Sequence, residues 1–154
     1  MALHIALYRP EIPPNTGNIG RLCVGIGAVL HVVHPIGFSM DEKAVRRAGL
    51  DYWQHVDLRE HADGDAFWRW AETEGRDVHL FSSHGQQPHT EVPARDGDVL
   101  LFGPESVGLP RDWVEQRGAY RIPLWGPVRS LNLSNAVAVA TYAALHKVSP
   151  ERFE

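Results

Sequence analysis

Short apolar runs alternate with amphipathic stretches along the whole chain. "LHIALY" (residues 3–8) is β-prone and is stopped by "RPEIPP", whose prolines lack the amide a strand needs. "NIGRLCVGIGA" follows, with Ile19, Leu22, Cys23 and Ile26 at helical spacing and Asn15 or Thr16 as its expected cap. "VLHVVHP" predicts the second strand, and "SMDEKAVRRAGL" a helix starting at Ser39 or Asp41 and stopping at Gly49. "QHVDL" is expected as a third strand, and "GDAFWRWAETEG" as a helix packing Phe67, Trp68 and Ala71. "DVHLFSS" and "DVLLFGPE" are apolar runs that end in polar turns. "PRDWVEQRG" reads as a short helix with proline in its first turn, "AYRIPL" as the last strand and "NLSNAVAVATYAALHKV" as the last helix.

Strands that alternate with helices imply a mainly parallel sheet covered on both faces, an α/β architecture. At 154 residues with no linker, repeat or low-complexity tract, residues 1–154 form one domain on this reading. Ligands of such sheets gather at the carboxyl ends of strands. The loops "PEIPPNTGNIGR", "FGPESVGLP" and "PLWGPVRSLNLSN" all fall there.

Composition narrows the class. No apolar run reaches eighteen residues, and "MALHIALYRP" has no basic region or cleavage site, so a soluble cytoplasmic protein is expected. Cys23 is the only cysteine, which suits a reducing compartment. The net charge of −4 argues against a general polyanion binder, so any nucleic-acid contact depends on placed clusters: Lys43, Arg46 and Arg47, and separately Arg9, Arg21 and Arg129.

Motif chemistry excludes several activities. No G-x-G-x-x-G follows a strand and no G-K-[ST] occurs. Ser106 in "ESVG" does not sit in a G-x-S-x-G elbow. His31 and His34 lie three apart on a strand and face opposite sides, and no H-E-x-x-H spacing exists, so no metal is expected. Gly17 and Gly20 suit a tight turn and close helix packing. Arg21 is read in the first turns of its helix, where the positive dipole end disfavours it and a phosphate or carboxylate partner would compensate. Glu105, between two glycines, either fixes its loop or meets a ligand amine. Trp125 has packing as its default role, with covering a ligand as the alternative.

Three segments in register, "PEIPPNTGNIGRLC", "LLFGPESVGLP" and "RIPLWGPVRSLNLSNAVAVATYAAL", resemble the signature motifs of the SPOUT-superfamily RNA 2'-O-ribose methyltransferases. The intervening "FSMDEKAVRRAGLDYW" is similar to the short tRNA (cytidine/uridine-34-2'-O)-methyltransferase group within it. The resemblance spans nearly the whole chain. It implies a C-terminal trefoil knot, S-adenosylmethionine bound in that knot, a homodimer whose subunits pair to form the site, and the anticodon loop of tRNA as substrate. It also implies roles. Arg21, Asn15, Ser130 and Asn132 would carry catalysis, and Phe81, Gly103, Glu105, Ile122, Leu124 and Ser130 would surround the cofactor. Arg46, Arg47, Lys43, Arg129 and Tyr142 would face RNA. A methyltransferase acting on another tRNA or ribosomal RNA position, and a non-catalytic RNA- or cofactor-binding module, remain open.

Overall fold

The computed structural model describes residues 2–41, 45 and 52–154. Seven parallel strands form one sheet: β1 (His4–Tyr8), β2 (Val29–Val33), β3 (Leu58–His61), β4 (Val78–Phe81), β5 (Gln87–Pro88), β6 (Val99–Phe102) and β7 (Tyr120–Arg121). Their order across the sheet is β3-β2-β1-β6-β4-β7-β5. The helices are α1 (Pro13–Ile26), α2 (Gly64–Thr73), α3 (Arg111–Arg117) and α4 (Leu133–Val148). The expected single α/β layer structure is therefore present.

Strand alternation sends residues to two different cores. Ile5, Leu7, Leu30, Val32, Leu100 and Phe102 pack on one face against Ile19 and Cys23 of α1 and Val137, Ala140 and Ala144 of α4. Ala6, Tyr8, Val33, Leu80, Val99 and Leu101 face the other way, toward Phe67 of α2 and toward Trp113 and Val114 of α3. α4 buries alanines and Thr141 at its centre, and those small side chains let it lie close to α1.

The element boundaries correct several expectations. α1 starts at Pro13, with prolines in its first two positions and Ile12 as N-cap, so neither Asn15 nor Thr16 caps it. Proline has no amide to leave unsatisfied there and is preset to the helical φ. Arg21 consequently lies mid-helix, beyond the reach of the positive dipole end, and the electrostatic objection to it falls. Gly17 and Gly20 are helical rather than in a turn. A Cβ on Gly20 would stand 2.7 Å from the Trp53 ring, so the packing reason is the correct one. The third strand is Leu58–His61, whereas Gln54 and His55 of the expected run belong to a 3₁₀ turn, Trp53–His55. Pro110 is the N-cap of α3. The helix expected between Ser39 and Gly49 falls mostly outside the described residues.

Under α2 the sheet carries a buried row of histidines. His4 is paired with Val29 and His31 with Arg59, so His31 and His61 are each the diagonal same-face neighbour on the next strand. His4 Nδ1 and His31 Nε2 are 2.8 Å apart, and His31 Nδ1 and His61 Nε2 are also 2.8 Å apart. Trp70 covers all three rings, with its centroid 4.4 Å from that of His31. His34 instead meets Glu60 at 2.7 Å. Among the described residues no group of three or more acidic, cysteine or histidine side chains could hold a metal ion.

The central ring, His31, is bonded at both nitrogens and so donates once and accepts once, which requires its neutral form. Burial, helped by Arg76 and Arg59, lowers His4 from 6.5 to about 4. Burial and the neighbouring rings lower His31 from 6.5 to about 2. The unfolded chain takes up protons on these rings near pH 6.5 and the folded chain does not. Their contribution is thus complete above that pH and is lost as pH falls, toward 4 for His4 and toward 2 for His31. Urea unfolding at pH 7 and pH 5 should show a loss on the order of 2 kcal/mol for each of the two rings. His31→Leu should flatten that pH slope while lowering stability at pH 7, because His4 and His61 each lose a partner. An equal slope in the variant would remove the row as its source.

Candidate functional site at the carboxyl ends of the strands

The loops after β1, β6 and β7 converge at one edge of the sheet, and a carboxylate joins the first two of them. The Glu11 amide donates to Glu105 Oε1 at 2.7 Å, and the Ile12 amide donates to Oε2 at 2.9 Å. Asn15 Nδ2 donates to the same Oε2 at 3.1 Å. Asn132 Nδ2 in turn donates to Asn15 Oδ1 at 3.1 Å, across 117 positions of sequence. The loop after β6 returns the contact, because Ser106 donates to Glu11 through its amide at 2.7 Å and its hydroxyl at 2.9 Å.

Asn132 also begins α4. Its Oδ1 accepts from the Ser134 and Asn135 amides at 2.9 and 3.4 Å and from the Ser134 hydroxyl at 2.6 Å. The polar head of this apolar helix therefore caps it and ties it to α1. Asn15 is 5 % exposed with both ends of its amide engaged. Glu105 takes the first of the two roles its sequence context allowed, fixing the loops.

The remaining expected residues fall around this tie. Phe81, buried, ends β4 and stacks on Phe102 with ring centroids 4.9 Å apart. Gly103 follows β6, where an added Cβ would lie 2.3 Å from Gly108 C and Leu109 N. The close approach that demands glycine is thus the loop folding on itself. Ile122 and Leu124 are half-buried beyond β7, while Arg129 and Ser130 are exposed. Residues 124–131 make no backbone hydrogen bond to the described chain, which leaves their amides and carbonyls available. Trp125 is 93 % exposed and covers nothing within the chain.

Arg21 stands apart from the tie. It is exposed on α1, with its guanidinium carbon 5.7 Å from the Tyr52 ring centroid. The Tyr52 hydroxyl donates to the Gly17 carbonyl at 3.0 Å. Burial raises the pKa of that phenol, and the Arg21 charge partly offsets the effect. Tyr142 is exposed on α4, edge-on to Phe153. Lys43, Arg46 and Arg47 lie outside the described residues. Sequence reasoning missed Glu11 as a partner of Ser106. The only sign of it is an acid held between prolines, which stiffen its loop.

A family model described as the SpoU rRNA Methylase family matches residues 2–142. The chain belongs to that family. The tRNA (cytidine(34)-2'-O)-methyltransferase of Escherichia coli strain K12 is 47 % identical over 145 residues, covering 92 % of this chain and 91 % of that protein. A putative enzyme of the same name from Bacillus subtilis is 42 % identical over 152 residues, covering 96 % and 94 %. A solved structure presented as insight into 2-OH methylation of C/U34 on tRNA superimposes with a TM-score of 0.90 at 46 % identity, covering 95 % of each chain. An AdoMet-bound rRNA methyltransferase from Sinorhizobium meliloti superimposes at 0.85 with 27 % identity, covering 94 % of this chain and 56 % of that one. Within the SpoU family the chain is thus similar, over nearly its full length, to enzymes of tRNA methylation.

Glu105→Gln tests the tie, because an amide presents two donors to amides that need acceptors. The expected loss is about 1–3 kcal/mol in urea unfolding, with faster exchange of the Glu11 and Ile12 amide protons. Unchanged protection of both amides would show that the loops hold together without it.

Proposed function

We propose that this chain transfers a methyl group from S-adenosylmethionine to the ribose 2'-hydroxyl of the wobble nucleotide, position 34, of tRNA. The observation that carries the reading is the Glu105–Asn15–Asn132 tie, which draws the three motif loops of a SpoU-family chain to one strand edge. The names of the similar enzymes support the substrate and position.

The residues present fit the cofactor. Half-buried Ile122 and Leu124 offer apolar walls, and the unpaired main chain of residues 124–131 offers donors and acceptors that suit an adenine edge. Phe81, Gly103, Ile122, Leu124 and Ser130 would hold it there. When bound, its sulfonium supplies an already activated methyl group. The protein's tasks are to align the acceptor oxygen and to manage its proton.

Arg21 performs the electrostatic part. Its guanidinium keeps its proton, so it stabilises charge on the ribose oxygen and grips the adjoining phosphate, which can accept the hydroxyl proton. Asn15 and Asn132 hold the loops, and Ser130 faces the ribose.

Arg21 lies outside the tie within one chain, and a homodimer supplies what the single chain lacks by bringing it to the partner's loops. Ile12, Val139, Tyr142 and Phe153 expose apolar side chains, an arrangement that suits a subunit contact. Threading of the C-terminal segment into a knot belongs to the same reading. So does a cytoplasmic location, which is compatible with the absence, among the described residues, of a helix long and apolar enough to cross a membrane.

Labelled S-adenosylmethionine incubated with total tRNA, followed by mass mapping of the modified nucleoside, tests this function. A 2'-O-methyl at position 34 is expected. A methyl at another tRNA position or in ribosomal RNA would reassign the substrate, and none would leave a binding module. Arg21→Lys keeps the charge but loses the planar fork. It should lower turnover about a hundredfold with cofactor affinity retained. Near-normal turnover would remove Arg21 from the mechanism.

A further inference from the structure

A second cleft opens at the same strand edge, on the face of the sheet that carries α2 and α3. It measures about 410 Å³ and is built from the end of β1, the turn after β4, the loop after β6 and the start of α3. Tyr8 and Val114 supply apolar wall, and Arg9, Ser82, His84 and Arg111 supply the polar groups. No carboxylate lines it. That is unusual in a chain with a net charge of −4. A larger cleft of about 570 Å³ elsewhere balances Arg76 and Arg117 with Glu72 and Asp77.

Among the described residues neither Arg9 nor Arg111 joins an ion pair. Arg9 has φ +50°, the one left-handed non-glycine residue of the described chain. Most side chains avoid that conformation, and it persists only where the surroundings enforce it. Here the Arg9 amide donates to the Val33 carbonyl at 2.9 Å, and the guanidinium is held 4.9 Å from the Tyr8 ring centroid. Tyr8 is braced by Trp113, with ring centroids 4.6 Å apart. Arg111 opens α3, where a cation opposes the helix dipole, so helix stability does not explain it.

Loop 103–109 is the wall shared with the catalytic edge. Its Glu105 belongs to the tie with Asn15, while Val107, Gly108 and Leu109 line the cleft. Ser82 directly follows Phe81, one of the positions expected to surround the cofactor, and His84 lies two residues further on. β1, β6 and β4 are successive strands, so two spacings of about 4.8 Å span the cleft mouth. A nucleic-acid chain presenting its ribose on one side of the loop keeps its neighbouring backbone within reach of the other.

We infer that Arg9 and Arg111, with His84 at the rim, form a phosphodiester-binding subsite that positions the tRNA backbone next to the methylated nucleotide. The inference rests on the tRNA reading above. Two arginines and no carboxylate match a phosphate, which takes guanidinium hydrogen bonds in bidentate geometry. An exposed phosphate contact also accounts for positive charge concentrated in one cleft of an acidic chain.

The test is tRNA affinity against salt concentration for Arg9→Gln, Arg111→Ala and the pair, beside Arg69→Ala on the exposed side of α2. Each cleft variant should reduce the slope of log affinity on log salt by about one and weaken binding about tenfold at low salt, with KM for tRNA raised and kcat nearly retained. Arg111→Lys should restore the slope, since a point charge suffices for counterion release. Arg69→Ala should match the parent. Unchanged slopes in the double variant would overturn the subsite. Thermal stabilisation of the parent by inorganic phosphate, lost in the double variant while its tRNA slope stays normal, would assign the cleft to a free anion and overturn the RNA role. Parent protein that binds tRNA without methylating it removes the proposed function and leaves the slope comparison readable.

Discussion

The carboxylate of Glu105 is the constraint on which the site depends. A parallel sheet delivers its strand ends to one edge but does not dictate how the following loops sit. Here two backbone amides and one side-chain amide meet two oxygens, and the loop after β1 is locked to the loop after β6. Hydrogen bonds to an ionised acceptor are stronger than neutral ones, and a half-buried carboxylate left without donors would be costly. The arrangement therefore works in both directions: the loops satisfy the charge, and the charge fixes the loops. Asn15 extends the lock to Asn132, which couples the start of α4 to the same point. Three stretches far apart in sequence, residues 11–15, 105–106 and 132–135, share one origin.

The two sheet faces use different physics. Toward α1 and α4 the core is aliphatic, and the alanines of α4 permit close packing. Toward α2 the sheet buries imidazoles, which are acceptable only because each ring satisfies the next and Trp70 excludes water. That face is the acid-sensitive one. It is also the face whose outer edge holds Arg9 and Arg111. Loop 103–109 lies between that edge and the Glu105 tie.

Much of this organisation is legible in the residues themselves. β1, β6 and α4 announce themselves because one period or one polar head dominates each, whereas the capping role of Asn132 appears only in the structure. The start of α1 does not, because Asn15 is as good a cap as any and only the prolines before it claim the first turn. β3 begins later than "QHVDL" implies, since a tyrosine–tryptophan turn packed on Gly20 occupies the approach. β5 is a two-residue pairing that exists only because the sheet places it beside β7, the strand expected within "AYRIPL". The histidine row needs strand register, which no local pattern contains: a shift of one residue on β2 would point His31 at the aliphatic core. Of the candidate site, Asn15, Glu105 and Asn132 are found together as motif order suggests, whereas Glu11 emerges only from its contact with Ser106.

Arg21 shows how far one chain can account for a site. Among the described residues it is mid-helix, exposed, and meets the face of Tyr52. A side chain with about 2 kcal/mol of rotamer entropy is poorly ordered by such a contact alone. On the proposed reading its value comes from outside the chain. A partner subunit that brings its motif loops against α1, together with an RNA phosphate, would order the guanidinium when substrate arrives. Charge stabilisation would then be assembled with the bound complex instead of standing in the free protein. That dependence also explains why the tie lacks any cation of its own. The Glu105 oxygens already accept from three amide groups, so an approaching guanidinium would be free to face the ribose oxygen and its phosphate.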